Sequence, residues 1–314
     1  MSNDEAIIRT AEQPNSRNSA LKILVCYHKP YTIPPNDDGI FLPIHAGKAL
    51  TDTDLHIQGD NELNGQPCDN ISAKNLHYNE LTVLYWAWKN LKKIYPDTEY
   101  VGLFHYRRFL ALDRRNFFVG YINANEQEIL DYKIDAAKVI DILSRKDVIL
   151  GTEICGYYPM NIQFYKKCIV FGEYEDLKKV IKNDFPDYYD DFVNFFELNN
   201  RYHPCQLFIM RYDNFVKYCE WLFGVLSKVE SMTVYRDRAM GYLGECLLNV
   251  YVRKNRMSIY HCDRYYFDPA SDTSANKSVW SSIRKTVFNF MRICYSEVLF
   301  SLIKIAAKLS PSKQ

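Results

Sequence analysis

Two short apolar runs, Leu21 to Tyr27 (LKILVCY) and Tyr100 to Phe104 (YVGLF), bracket one strongly helical segment, Asn75 to Ile94. Both runs are too short for buried helices and are rich in β-branched and aromatic side chains, so they read as buried strands. Between them Leu81, Leu84, Tyr85, Trp88 and Leu91 recur at helical spacing, with Ser72 as an N-cap ahead and Pro96 ending the run. Strand, helix and strand in that order commit the chain to an α/β sheet with crossover connections. After the first strand, Pro30, Pro34, Pro35 and the Asn36 to Gly39 cluster make a long loop, and the polar stretch Thr51 to Lys74 continues as loop.

The alternation continues downstream. Helices are expected over Ile134 to Arg145, Glu173 to Asn183, Tyr188 to Leu198, Asp213 to Val229 and about Tyr242 to Val252, with strands over Asp147 to Leu150, Gln206 to Arg211 and Met257 to His261. Residues 1–20 read as a flexible leader and 21–275 as the main domain. From Asn276 onward the chain changes: seven Lys or Arg against one Glu give a net +6, leaving −5 for the rest. Ile283, Val287, Met291, Cys294, Val298, Leu302 and Ile305 recur there every three or four residues, the pattern of a basic amphipathic helix over 276–314. Such a helix either lies on an anionic membrane surface or docks on the domain or a second subunit.

Composition narrows the function classes. With 39 Lys+Arg against 38 Asp+Glu the 314-residue chain carries a net charge of only +1, which argues against a nucleic-acid partner. Nine cysteines without a C-x-x-C pair fit neither a disulfide framework nor a zinc cluster, so reduced thiols and a cytoplasmic location are expected. The acidic N-terminus is no signal peptide and no apolar run reaches membrane-spanning length, which leaves peripheral attachment to the inner membrane face as the membrane option. Aromatic residues make up 15%, which suits sugar or base faces as well as cores.

Common catalytic signatures are missing: there is no Walker A loop, G-x-G-x-x-G, G-x-S-x-G or H-E-x-x-H. Asp52-Thr53-Asp54 has the D-x-D form but follows no apolar strand, so it reads as a solvated loop rather than a metal site. The most informative motif is His105-Tyr106-Arg107-Arg108, delivered at the carboxyl end of a buried strand, where α/β proteins bind ligands. Guanidinium forks match phosphate oxygens, the bland alternative being one buried ion pair and one solvated arginine. Asp69, Asn70, Asn75 and Glu80 cluster near a helix start, suited to sugar hydroxyls or phosphate, or simply to capping. Glu245, after a glycine-rich turn that holds Gly241 and Gly244, is either a general base or a first-turn acid favoured by the helix dipole.

In order, KILVCYHKP, DNISAKNLHYNELTVLYWAWKN, YVGLFHYRRFL, YCEWLFGVLSKVE and GYLGECLLNVYV resemble a bacterial family first catalogued as a domain of unknown function in capsular, exopolysaccharide and O-antigen loci. Its members are regarded as glycosyltransferases, some associated with galactofuranose transfer. The resemblance covers about Leu21 to Arg253. The chain departs from the family at His203-Pro204-Cys205-Gln206, at Glu245-Cys246 and across Thr152 to Phe171, changes that bear on the acceptor more than on the donor.

The resemblance implies a GT-A-like α/β fold with a mainly parallel sheet and a nucleotide-sugar (UDP) donor near Tyr27 and His28. It implies that Arg107 and Arg108 stabilise the departing diphosphate where most such folds place a D-x-D, with no metal ligand set. His105 leaves a variant dependent on Mn²⁺ or Mg²⁺ open. Glu245 is then the base for inverting attack, Asp69, Asn70, Asn75, Glu80 and His105 contact the donor, and His203 contacts a polysaccharide or lipid-linked oligosaccharide acceptor. Two other classes stay open, a non-catalytic scaffold of a polysaccharide assembly complex and a sugar-lipid phosphotransferase.

Overall fold

The structure, a computed structural model, describes residues 20–112, 121–165 and 171–267, with positions 287, 290, 291, 293–295, 297–302 and 305 beyond them. The expected leader, most of the C-terminal segment and part of the 152–171 stretch fall outside these residues.

Among the described residues nine strands form the main sheet: β1 (Leu21–Tyr27), β2 (Phe41–His45), β3 (Gln58–Gly59), β4 (Tyr100–His105), β5 (Arg108–Ala111), β6 (Ile122–Ala124), β7 (Val148–Gly151), β8 (Phe208–Arg211) and β9 (Ile259–Phe267). The order is β8-β7-β9-β5-β4-β1-β2-β3, with β6 on β9. The sheet is mixed rather than mainly parallel. β1 pairs in parallel with β2 and β4, as do β9 with β7 and β6, whereas β8 runs antiparallel to both β7 and β4.

Every residue of β1 is buried because both faces are covered. Leu24 and Cys26 face one core with α1 (Leu81–Ile94), α3 (Phe171–Asp184), α4 (Tyr189–Glu197), α5 (Tyr212–Glu230) and α6 (Ala239–Lys254). Leu21, Ile23, Val25 and Tyr27 face a second core, with Phe109 and with Val139 and Leu143 of α2 (Ala136–Arg145). Asp135 caps α2 by accepting from the Lys138 N–H at 3.1 Å.

Three expectations need correction. The helix expected over Asn75 to Ile94 is broken: a short turn of helix, Asn75–Tyr78, stops at Asn79, whose φ of 49° is left-handed, and α1 begins afresh at Leu81. The glycines ahead of Glu245 form no turn, because Gly241 and Gly244 lie inside α6. The strand after Arg253 runs on to Phe267, held by β5, β6 and β7 on its edges. Strand β2 carries Pro43, which breaks the usual strand pattern; it is tolerated because β3 pairs only with Ile44 and His45.

The sheet divides at the carboxyl end of β4. Residues Tyr100 to Leu103 pair with β8 on one edge, but beyond them the chain turns at Tyr106-Arg107 and returns antiparallel as β5, with His105 opposite Arg108. From there β5 pairs with β9 instead. The two arms of the sheet thus part beside His105, Arg108 and the residues that precede β8.

A fully buried carboxylate fastens the opposite loop. Asp60 accepts from the Gly47 and Lys48 N–H groups at 2.8 and 3.1 Å, from the Thr82 hydroxyl at 2.5 Å and from the Ser72 hydroxyl. Asp60→Ala leaves these donors without an acceptor, and thermal or denaturant unfolding is expected to show a loss of about 3–5 kcal/mol.

Candidate active site

A cavity of about 670 Å³ opens where the sheet parts. His105 and Arg108 enter it from the β4–β5 hairpin, Asn79 and Glu80 from the turn before α1, and Arg264 from β9. Pro204 and Cys205, just before β8, and Arg238, Gly241 and Glu245, at the start of α6, close the wall.

Local backbone conformation puts these side chains there. The left-handed turn at Asn79 swings Glu80 off the helix axis, and Gly241 lets α6 come against it: a Cβ at 241 would lie 2.4 Å from the Asn79 amide nitrogen. Gly244 permits the same approach to Leu81. Arg238 is also left-handed (φ 67°), with its N–H bonded to the Leu76 carbonyl at 2.7 Å. Cys205 and Gln206 are consecutive left-handed residues, φ 70° and 51°, and this bend aims the Cys205 N–H at a Glu245 carboxylate oxygen 2.9 Å away.

The charges in the cavity are unequal. Burial, reinforced by Glu245, pushes the Glu80 pKa up to about 7 against the pull of its own backbone N–H, Arg108 and Arg238. Burial also raises Glu245, opposed by the Cys205 N–H and by Arg108, Arg264 and Arg238. Three guanidinium groups therefore face two carboxyl groups that both resist ionisation, an excess of positive charge suited to a phosphate ester. Arg264 is itself buried and donates to the Thr152 carbonyl at 2.7 Å.

His105 adds a neutral donor. Burial, with Arg108 and His28 nearby, lowers its pKa to about 3. Arg108 lies 3.5 Å from Nδ1, and arginine only donates, so Nδ1 accepts and Nε2 carries the proton. That Nε2 is buried without a hydrogen-bond partner among the described residues.

Of the residues singled out from sequence, the cavity brings together Glu80, His105, Arg108 and Glu245. Arg107, at the hairpin tip, lies instead over the Tyr106 and Tyr266 rings, 5.0 and 5.5 Å from their centres. Tyr27 is in the core, and His28 meets the Tyr106 ring edge-on at 4.9 Å. Asp69 accepts from the Tyr85 hydroxyl, Asn70 bonds the Asn61 and Cys68 carbonyls and the Ser72 N–H, and Asn75 bonds the Asn79 carbonyl. These last three side chains secure the loop and the turn that hold Glu80, and none lines the cavity. His203 is buried with Nδ1 donating to the Gly151 carbonyl at 2.7 Å, while its neighbours Tyr202 and Pro204 do line the cavity.

Asn79, Arg238 and Arg264 were not singled out from sequence. After glycine, Asn is the residue that most readily takes a positive φ, which is the one signal that could have found Asn79. Among the described residues no three His, Cys, Asp or Glu side chains come together in a group that could hold a metal ion. Likewise, no described helix is long and apolar enough to cross a membrane.

The fold is similar to that of a glycosyltransferase of known structure. The protein titled "WbbM bifunctional glycosytransferase apo structure" matches over 80% of this chain at 25% identity and a TM-score of 0.68. The match takes up 46% of that protein, so this chain spans under half its length. No curated protein matches the chain. The family model described as "Domain of unknown function (DUF4422)" matches residues 22–256, and the chain belongs to that family.

The Glu80 carboxyl gives a direct test of the electrostatics. Its folded pKa lies above its unfolded value, so the stability it contributes is present below about 4.5 and is lost as the pH rises through about 7. Denaturant titrations between these pH values are expected to show that loss, and Glu80→Gln to flatten it.

Proposed function

We propose that the protein is a glycosyltransferase that moves a hexosyl unit from a nucleoside-diphosphate sugar, with UDP as the nucleotide, to a hydroxyl of a surface-polysaccharide acceptor. The observation that carries this reading is the cavity in which Arg108, Arg238 and Arg264 face Glu80 and Glu245. The family membership and the structural likeness to a glycosyltransferase support it.

In this reading the guanidinium groups bind the diphosphate and stabilise the charge that grows on it as the glycosidic bond to the anomeric carbon breaks. Their fixed positive charge does what a metal ion does in a D-x-D site. His105 Nε2–H donates to a donor oxygen, and its neutrality keeps that bond unchanged across the physiological pH range. Glu245 takes the proton from the acceptor hydroxyl as it attacks the opposite face of the anomeric carbon, giving inversion. The Cys205 N–H holds its carboxylate in position. Glu80 tunes the cavity: protonated, it leaves the positive excess intact, and ionised, it opposes the diphosphate.

The test is a thermal-shift and product-release screen against nucleotide sugars, including UDP-hexoses in pyranose and furanose forms. One donor is expected to raise the melting temperature and release its nucleoside diphosphate slowly. Arg108→Ala is expected to reduce turnover by about 10²–10³-fold and Glu245→Gln by about 10²–10⁴-fold. EDTA is expected to leave turnover largely intact. Binding of a nucleotide sugar, whose phosphates do not titrate near neutrality, is expected to weaken as the pH rises through about 7, and Glu80→Gln to abolish that dependence. Release of a nucleoside monophosphate, or no stabilisation by any donor, would overturn the reading.

A further inference from the structure

The C-terminal segment carries an apolar stripe turned away from the protein. The described positions between 287 and 305 are helical. Val287, Met291, Val298, Leu302 and Ile305 are 50%, 63%, 62%, 58% and 54% exposed. At the angular spacing of an α-helix these five fall within an arc of about 60°. Phe300, on the opposite side of the helix, is buried, so the helix already uses one face to pack and leaves a second, apolar one open.

Contacts fix where that open face sits. Glu297 accepts from the Arg201 guanidinium at 2.8 Å, and the Tyr295 ring meets Tyr157 at 5.9 Å. Arg201 belongs to a two-stranded ribbon, Ile154–Cys155 with Arg201–Tyr202, and from that ribbon Ile154 and Tyr202 line the cavity. The helix is therefore fastened beside the cavity wall.

Charge selects the occupant. From Asn276 onward there are seven Lys or Arg and one acid, Glu297, whose carboxylate is already taken by Arg201. A second copy of this face would bring two strongly basic segments together, whereas an anionic lipid surface complements the charge while the stripe enters the headgroup region. We propose that the C-terminal segment is an anchor for an anionic membrane surface that holds the cavity wall against the bilayer. If the glycosyltransferase reading holds, a lipid-linked acceptor is presented at that wall. The anchoring itself does not depend on that reading.

The experiment is sedimentation of the full chain with phosphatidylcholine vesicles, with and without about 30% phosphatidylglycerol, at low and high salt. The protein is expected to bind only the anionic vesicles, and less so at high salt. A Val298→Asp/Leu302→Asp double variant is expected to bind at least about tenfold more weakly, with its circular dichroism and melting temperature unchanged. Vesicle binding needs no turnover, so it is read independently of donor binding and product release. No binding of the full chain to anionic vesicles, or equal binding by the double variant, would overturn the proposal. So would a dimer in solution that the double variant dissociates without any vesicle binding, since the stripe would then cover a second copy.

Discussion

A carboxylate with no access to water organises the segment on which the cavity rests. Asp60 gathers backbone donors from residues 47 and 48, a hydroxyl from Ser72 and a hydroxyl from Thr82, so the loop after β2, the loop before the helices and the first turn of α1 share one acceptor. A carboxyl group is tolerated in that position because its oxygens accept from all four donors. Thr82 is three residues past Asn79, and Asn75 bonds both the Asn79 carbonyl and the Thr82 hydroxyl. The left-handed break that delivers Glu80 is thus an extension of the same polar network.

The second constraint is steric. Two helices approach closely enough to set Glu80 beside Glu245 only because α6 has no side chain at 241, facing Asn79, or at 244, facing Leu81. Burial raises the pKa of both carboxyl groups, Glu245 adds to the rise at Glu80, and the surrounding guanidinium groups limit it. Packing without Cβ atoms therefore has an electrostatic result: it helps bury Glu80, whose pKa is pushed up to about 7.

Much of the framework was legible in the residues. Leu21–Tyr27 and Tyr100–Phe104 stood out because a strand buried on both faces is apolar without interruption, and Asp213–Val229 because one apolar face repeats along it. The break at Asn79 was hidden by good helical spacing on both sides of it. The glycines at 241 and 244 read as a turn because sequence does not reveal which neighbour a missing side chain accommodates. Glu245 and Arg108 were readable from motif and position, whereas Arg238 and Arg264 were not. A single arginine at the head of a helix or within a strand acquires meaning only when distant segments converge, and Arg264 reaches the cavity from the far arm of the sheet. Asp69 and Asn70 had the right chemistry for a ligand but spend it on the loop.

The two left-handed residues before β8 have a consequence for how the protein can change over generations. Positive φ at Cys205 and Gln206 penalises β-branched side chains, which are otherwise favoured in strands. Substitution there is channelled toward glycine, asparagine or aspartate, or else both positions must relax together. The Cys205 N–H is aimed at Glu245 by that bend, so relaxing the backbone would also release the carboxylate. Sequence drift at 205 and 206 is thereby tied to position 245, forty residues away, and the three positions are expected to vary as a unit among descendants of this chain.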